Sequence, residues 1–385
     1  MLSQFLSIIT GFTLFNDRLF RAGAAALVAA AIVFFLMPFF IRYLQKQNAT
    51  SDFDQNSTKK SPPIFGGMLL VFAIVVSTFS FSILNPYAIS ILIIMLAYSA
   101  IGGVDDFMKI RAKRLVLAGK LEKKDYQEKA DGISSSIRLI LYFLFSIVVA
   151  VFAYKLIPGL DGHITVPFVK AEVWNPYLPN WAFILFISFI TTSTANGANF
   201  TDGLDTLVSV PIITTAAFVG AVAYISGNAI FSEYLLLPHL PGVDELLPIC
   251  AAIIGATLAY LWYNCPPAQI YMGDGGSIGI GGAIGMMFVL VKAELFVPIV
   301  GIIFLAESIS VVMQISYFKL TRKLSADKQG RRIFLRAPIH DHFKLKWKDS
   351  YQGDIPSVNS KVIWRFHLIS ILGAIVGSLI FFKIR

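Results

Sequence analysis

The sequence predicts an all-α, polytopic membrane protein with about ten transmembrane helices, and three observations support this fold class. Only 14% of the 385 residues are charged and 56% are hydrophobic, whereas soluble domains carry about 25% charged residues. The mean hydropathy is +0.71. Four apolar runs approach the roughly 20 residues that span a hydrocarbon core, namely 24–41, 67–84, 137–157 and 362–382.

Ten apolar segments are predicted to be spans, and together they form one transmembrane domain over residues 1–385. Their cores are 20–42, 66–84, 88–104, 137–157, 180–196, 205–226, 246–263, 277–291, 295–318 and 362–382. The N-terminal segment 1–15 is apolar but has neither a basic region nor a small-residue cleavage site. We therefore predict a short helix there that leads into the first span, rather than a cleaved signal peptide.

Basic residues set the predicted orientation. Segments 42–61, 109–138 and 319–365 contain 25 of the 32 Lys and Arg residues, and this enrichment marks cytoplasmic loops. All three lie on one side of a ten-span count, which places both termini outside. The net charge of +9 is typical of loops beside anionic lipid, and we predict no nucleic-acid partner. The predicted cytoplasmic segments are approximately 43–65, 105–136, 197–204, 264–276 and 319–361.

Four polar clusters fall at this predicted cytoplasmic face. They are Asp105-Asp106, segment 199–205 (Asn-Phe-Thr-Asp-Gly-Leu-Asp), Asn264 with segment 271–277 (Tyr-Met-Gly-Asp-Gly-Gly-Ser), and segment 338–343 (Pro-Ile-His-Asp-His-Phe). Neighbouring carboxylates raise one another's pKa unless a cation compensates. Hard oxygen ligands with waters and phosphates suit Mg²⁺. We therefore expect Mg²⁺ between the protein and a diphosphate substrate, whereas no Cys or His cluster completes a Zn²⁺ site.

The carboxylates also have structural interpretations. Asp105 and Asp106 could cap a helix or begin a solvated loop, and Asp202 or Asp205 could cap the sixth span. Glu307, inside the ninth span, could be a buried hydrogen-bonded group or part of the site.

The remaining polar features have structural alternatives too. His340 and His342 could be ordinary loop histidines, and the basic run 109–129 could be a solvated loop facing lipid. The glycines of segment 273–282 could bring backbone N–H groups close to an anion. Tight packing of membrane helices accounts for the glycines alone somewhat better.

The polar segments, over residues 59–365, resemble those of the polyprenyl-phosphate N-acetylhexosamine-1-phosphate transferases. The most specific matches are Asp105-Asp106-Phe107-Met108-Lys109, segment 199–205, Asn264 with Pro267-Ala268-Gln269, Tyr271-Met272-Gly273-Asp274, and segment 337–343. Segment 337–343 is most similar to the branch that uses N-acetylmuramoyl-pentapeptide, because the N-acetylglucosamine-using relatives have a different histidine pattern.

The resemblance implies a Mg²⁺-dependent transferase, a homodimer in the bacterial inner (cytoplasmic) membrane whose active site faces the cytoplasm. The implied substrates are UDP-N-acetylmuramoyl-pentapeptide and undecaprenyl phosphate. The implied products are UMP and undecaprenyl-diphospho-N-acetylmuramoyl-pentapeptide, a lipid-linked peptidoglycan precursor.

The resemblance also implies roles for individual residues. Asp274 is the implied Mg²⁺ ligand, and Asp105 and Asp106 are expected to serve the lipid phosphate or to act as a base. His340 completes the implied catalytic set and is expected to contact nucleotide or sugar. The implied substrate-binding residues are Lys59, Lys109, Asn199, Asp202, Asp205, Asn264, Tyr271, Gln314 and His342.

The sequence departs from the family pattern at several positions. Segment 62–67 (Pro-Pro-Ile-Phe-Gly-Gly) lacks the family's hydroxyl side chains. Asp341 stands for the middle histidine of a three-histidine run, Arg138 for a lysine and Thr206 for a common glycine.

Two other functions compete with this interpretation. An N-acetylglucosamine- or N-acetylgalactosamine-1-phosphate transferase would share the mechanism and differ in the sugar. A secondary transporter is a different class, and intramembrane acids are typical of it. Here, however, the predicted acids lie at one face rather than at the midplane.

Overall fold

The computed structural model describes residues 2–50, 62–117, 134–169, 173–325, 328–351 and 353–383. Within these ranges the chain is helical and contains no β-strand. The all-α prediction is therefore confirmed. The helices are α1 (Leu2–Thr10), α2 (Arg18–Lys46), α3 (Gly66–Phe81), α4 (Pro86–Leu117), α5 (Ser135–Leu156), α6 (Asn180–Thr201), α7 (Ser209–Ser226), α8 (Ala229–Tyr234), α9 (Leu246–Asn264), α10 (Asp274–Leu290), α11 (Val297–Val300), α12 (Ile302–Leu324), α13 (Ile339–Lys348) and α14 (Ile355–Lys383).

Each of the ten predicted spans coincides with apolar helix. Among the described residues, eight helices are long and apolar enough to cross a membrane, namely α2, α4, α5, α6, α7, α9, α12 and α14. Two shorter apolar helices, α3 and α10, correspond to the remaining predicted spans. The polytopic membrane fold is confirmed, and α1 is the short helix predicted before the first span.

Helix α4 extends well beyond its predicted span, which was expected to end at residue 104. It continues through Asp105 and Asp106 as far as Leu117, and both carboxylates are almost completely buried. Residues inside a helix cannot cap it, so the interpretation of this pair as caps or as a solvated loop is wrong.

The structure also excludes capping of the sixth span by its aspartates. Helix α7 begins at Ser209 and has Val208 at its N-cap position, where no side chain provides a capping hydrogen bond. Asp202 instead directly follows the C-terminus of α6. Neither Asp202 nor Asp205 caps α7.

The predicted ninth span, 295–318, is not a single helix. It divides at Gly301 into the short α11 and the long α12. Glycine is about 1 kcal/mol less favourable than alanine in a helix interior, and Pro298 in the first turn of α11 has no N–H to donate. The break separates the short α11 from α12, which continues as far as Leu324.

Helix α10 forms the centre of the bundle, and residues 275–290 are all buried. Its glycines allow neighbouring helices to approach closely, Gly282 facing Tyr98 of α4 and Gly285 facing Thr194 of α6. A Cβ added at Gly282 would lie 2.5 Å from the Tyr98 ring. The packing interpretation of these glycines is therefore confirmed.

A buried ion pair joins α2 to the start of α9 at the end of the bundle opposite the polar clusters. The Arg21 guanidinium donates to both carboxylate oxygens of Glu245 at 2.7 Å. Arg21 also donates to the carbonyl of Phe81 at the end of α3. Three helices are thus fixed to one another at this end.

Candidate active site

Two basic side chains bridge two aspartates where α4, α5 and α10 meet. Arg138 Nη1 lies 2.8 Å from Asp105 Oδ2 and 2.7 Å from Asp274 Oδ2. Lys109 Nζ lies 2.7 Å from Asp105 Oδ2 and 3.1 Å from Asp274 Oδ2. Asn199, at the end of α6, donates to Asp274 Oδ1 at 2.9 Å. The structure therefore brings together four of the predicted site residues and adds Arg138.

Asp106 is held by the first turn of α10. Its Oδ2 accepts a hydrogen bond of 3.1 Å from the backbone N–H of Gly275, and its Oδ1 is 4.0 Å from Lys109 Nζ. Gly273, which precedes α10, has φ +78°, and a Cβ there would lie 2.7 Å from Asp106 Oδ2. Glycine at 273 therefore allows both the left-handed backbone and the close approach of Asp106.

Asp202 adds a further carboxylate to this cluster. Burial raises the pKa of Asp202 well above its usual range, and the charges of Asp274 and Asp106 raise it further, although the Gly273 N–H donates to it. Burial also raises the pKa of Asp205, while its hydrogen bond from the Ala268 N–H acts in the opposite direction. The charges of Asp274 and Asp106 thus disfavour the ionised form of Asp202 unless a further cation is bound nearby.

The segment before α3 pairs with the segment before α10 through backbone atoms. The Tyr271 N–H donates to the Pro63 carbonyl at 2.9 Å, and the N–H groups of Gly66 and Gly67 donate to the carbonyls of Tyr271 and Met272. Backbone pairing does not depend on hydroxyl side chains. The departure in segment 62–67 therefore leaves this support of the 271–274 segment in place.

Asn264 fixes the loop between α6 and α7. Its Oδ1 accepts from the Thr206 N–H at 2.7 Å, and its Nδ2 donates to the Ile270 carbonyl at 2.8 Å. Thr206 has φ 65°, a left-handed conformation that glycine adopts more easily, which explains why a glycine suits this position. His367 Nε2 lies 3.1 Å from the Thr206 carbonyl oxygen and holds the loop from the other side.

A cavity of about 750 Å³ borders the cluster and has a size suited to a small-molecule ligand. The loop after α6, the end of α9 and the start of α14 form its wall. Its lining includes the predicted site residues Asp202, Asp205, Asn264 and Tyr271, together with Gly203, Lys344, Asn359 and Ser360.

His340 is almost completely buried in the first turn of α13. Its Nδ1 lies 3.1 Å from Glu307 Oε1 on α12, and its other ring edge packs against Gly203 at the cavity. Glu307 is therefore a buried hydrogen-bonded group, which confirms the first of its two alternatives, and its partner is a predicted site residue.

In the described part of the chain, Gln314 and His342 form hydrogen bonds with a loop and not with the aspartate cluster. Gln314 Oε1 accepts from the N–H groups of Ile333 and Phe334, and His342 Nδ1 accepts from the Leu335 N–H. Lys59 lies outside the described residues.

A family model described as glycosyl transferase family 4 matches residues 88–292, more than half of the 385 residues. The matched range contains α4 to α10, and hence the aspartate cluster. The chain belongs to glycosyl transferase family 4. This is the family of phospho-N-acetylmuramoyl-pentapeptide transferase and related polyprenyl-phosphate hexosamine-1-phosphate transferases. Membership confirms the family resemblance and supports transfer of a sugar 1-phosphate to a polyprenyl phosphate.

The donor set of this family 4 site fits a divalent cation. Asp105, Asp106 and Asp274 lie within 4.0 Å of Lys109, and Asp202 lies near enough to Asp274 and Asp106 for their charges to raise its pKa, which a bound cation would offset. Among the described residues, no three His, Cys, Asp or Glu side chains form a metal cage. Such a site suits Mg²⁺, which is commonly bound through one or two carboxylates, waters and substrate phosphates.

Three residues of the site carry no role in the sequence analysis. Arg138 was noted only as a departure, although it lies in the first turn of α5 beside Asp105. Ser277 Oγ lies 3.1 Å from Asn199 Nδ2, and its place one turn after Asp274 was a usable signal. His367 has no such sequence signal, because it lies inside the apolar run of the last predicted span.

Proposed function

We propose that this family 4 protein transfers phospho-N-acetylmuramoyl-pentapeptide from UDP-N-acetylmuramoyl-pentapeptide to undecaprenyl phosphate, with Mg²⁺ as cofactor. The products are UMP and the lipid-linked precursor, and the reaction is the first membrane step of peptidoglycan synthesis. The observation that carries the proposal is the position of His340. Segment 337–343, most similar to the muramoyl-pentapeptide branch, packs through this residue against Gly203 beside the cavity.

The proposed location is the cytoplasmic face of the bacterial inner membrane. The aspartate cluster lies at the same end of the bundle as the basic part of α4, which contains Lys109, Arg111, Lys113 and Arg114. Enrichment in basic residues marks the cytoplasmic side, where a nucleotide sugar is also available. The homodimer stays a prediction.

In the proposed reaction, an oxygen of the lipid phosphate attacks the β-phosphorus of the nucleotide sugar. A new P–O bond forms there, the bond from the β-phosphorus to the oxygen bridging the two phosphates breaks, and UMP leaves with that oxygen and its electron pair. Phosphate oxygens are already anionic near neutral pH, so the attack requires little proton removal. Positioning and charge neutralisation are therefore the main tasks of the protein.

Lys109 and Arg138 are the proposed phosphate-neutralising side chains, and their position beside Asp274, the proposed metal ligand, supports this role. Asp274 is the proposed metal ligand, and Mg²⁺, when bound, would supply Lewis-acid neutralisation of the diphosphate. Asp105 Oδ2 accepts from both cations, which supports a positioning role better than the alternative two-step route through a covalent aspartyl intermediate.

The testing experiment measures UMP release by purified protein with undecaprenyl phosphate and Mg²⁺. We expect UDP-N-acetylmuramoyl-pentapeptide to be used, its labelled sugar to become lipid-soluble, and EDTA to stop the reaction. Use of UDP-N-acetylglucosamine alone would establish the related hexosamine transferase instead. Uptake into vesicles without UMP formation would contradict a transferase.

A matched pair of variants tests the metal assignment. Asp274→Asn removes the charge of the proposed ligand, and we expect kcat to fall by more than about 100-fold. Glu233→Gln is the control, because Glu233 is an exposed carboxylate on α8 and not part of the aspartate cluster. We expect its activity to be unchanged. An Asp274→Asn enzyme with a near-normal Mg²⁺-dependent rate would contradict the assignment.

A further inference from the structure

We propose that Glu307 is a positioning residue that fixes the protonation pattern of His340. Its carboxylate holds the proton on Nδ1, so that Nε2 faces the Gly203 loop at the cavity as the ring atom available to a ligand. The ligand itself rests on the proposed function, but the orientation of the histidine does not.

Both partners of the contact are buried. Glu307 is 0% exposed on α12, and His340 is 3% exposed on α13. Glu307 Oε1 and His340 Nδ1 are 3.1 Å apart. A carboxylate accepts hydrogen bonds and a neutral imidazole has one donor nitrogen and one acceptor nitrogen, so the nitrogen that faces the carboxylate carries the proton.

The Glu307 carboxylate depends on its hydrogen bond with His340. Its second oxygen, Oε2, is buried and has no hydrogen-bond partner among the described residues. Holding a carboxylate inside a membrane helix is costly unless it is paired. The single hydrogen bond to His340 therefore dominates the polar environment of Glu307, and it couples α12 to α13.

The opposite edge of the imidazole faces the loop that lines the cavity. Gly203 lies so close to Nε2 and Cε1 that a side chain at this position would collide with the ring. The nearest acidic oxygen to Nε2 is Asp341 Oδ1 at 3.9 Å, beyond hydrogen-bond distance. Nε2 is thus the ring nitrogen left for a ligand hydroxyl or N–H.

Three substitutions separate positioning from folding. Glu307→Leu removes the acceptor but places an apolar side chain in an apolar helix, so the protein is expected to fold. Glu307→Gln keeps an acceptor oxygen without the charge. Ser310→Ala, one turn further along α12, is the control, because Ser310 bonds only to the backbone carbonyl of Glu307.

The direct readout is the long-range ¹H–¹⁵N spectrum of protein labelled at its five histidines, with His340 assigned by its loss in His340→Gln. We expect the Nδ1-protonated form in wild type and in Ser310→Ala, and loss of that single form in Glu307→Leu. An Nε2-protonated His340 in wild type would overturn the proposal.

The functional readout is kcat/KM for UMP release. Loss of one hydrogen bond to a charged group predicts a decrease of about 10- to 100-fold for Glu307→Leu, partial recovery in Glu307→Gln, and no change in Ser310→Ala. Full activity of a folded Glu307→Leu protein would contradict the positioning role. If wild type releases no UMP from any nucleotide sugar, the proposed function fails while the spectra still decide the histidine orientation.

Discussion

Replacement of Arg138 tests whether the site needs a bridging positive charge or specifically a guanidinium. Both contacts of Arg138 with carboxylates come from a single atom, Nη1, at 2.8 Å to Asp105 and 2.7 Å to Asp274. The fork of the guanidinium is not used in a two-pronged pair with either carboxylate. An ammonium group has three donors on one nitrogen and can form the same bridge.

The size of the expected fall in kcat/KM follows from these contacts. A hydrogen bond to a charged group contributes about 1.5–3 kcal/mol. Lys109 continues to bridge the same two carboxylates in the absence of Arg138, so we count the loss as one such bond rather than two. At about 1.4 kcal/mol per factor of ten, Arg138→Leu should lower kcat/KM by about 10- to 150-fold. Arg138→Lys should stay within about fivefold of wild type.

The assay is UMP release at saturating Mg²⁺ with both substrates varied. Arg42→Leu is the matched control, since Arg42 is an exposed basic residue at the same end of the bundle and donates to the Pro38 carbonyl rather than to a carboxylate. Arg138→Lys as slow as Arg138→Leu would refute the point-charge reasoning. Equal loss in Arg42→Leu would show a general effect of surface charge instead.

Three further predictions concern stability. Gly282→Ala should lower the melting temperature, because overpacking against Tyr98 costs about 1–3 kcal/mol, whereas Gly23→Ala, with open space around it, should not. Arg21→Ala should destabilise the protein by about 3–5 kcal/mol by leaving the Glu245 carboxylate buried without its main partner, with activity per folded molecule retained; an unchanged melting temperature would contradict this. Burial acts to raise the pKa of Asp161, but its ion pair with Lys292 lowers the pKa below its usual value. The stabilisation from this ion pair is therefore present above about pH 4. It is lost as the pH falls through the lowered folded-state pKa. Asp161→Asn should therefore reduce stability at pH 7 and reduce it less at pH 3, as measured by thermal unfolding at both values.

The sequence was sufficient to predict where the apolar helices lie, because hydropathy reports directly on the environment that each helix requires. It also placed Asp105, Asp106, Asn199 and Asp274 at one end, since spans of alternating direction bring their ends together. It could not predict that α4 continues to Leu117. Buried ion pairs with other helices stabilise that extension, and tertiary contacts of this kind leave no local pattern.

The same limit explains the histidine environment. Glu307 and His340 are separated by 33 positions along the chain and lie on different helices, α12 and α13. The local sequence shows only that Glu307 lies within an apolar run and that His340 lies within a polar segment. Only the packing of α13 beside α12 makes them partners.

The start of α10 decides which groups are left to bind phosphate. The glycines there suggested backbone N–H groups that hold an anion, and a helix N-terminus does favour negative charge. The N–H of Gly275, however, donates to the carboxylate of Asp106, and Gly276 packs against Gly67 of α3. Since a protein carboxylate already occupies this N–H group, we expect the phosphates of the proposed substrate to depend on cationic side chains such as Lys109 and Arg138. Both of these cations are already paired with Asp105 and Asp274, which supports the proposed need for Mg²⁺ as a further positive charge.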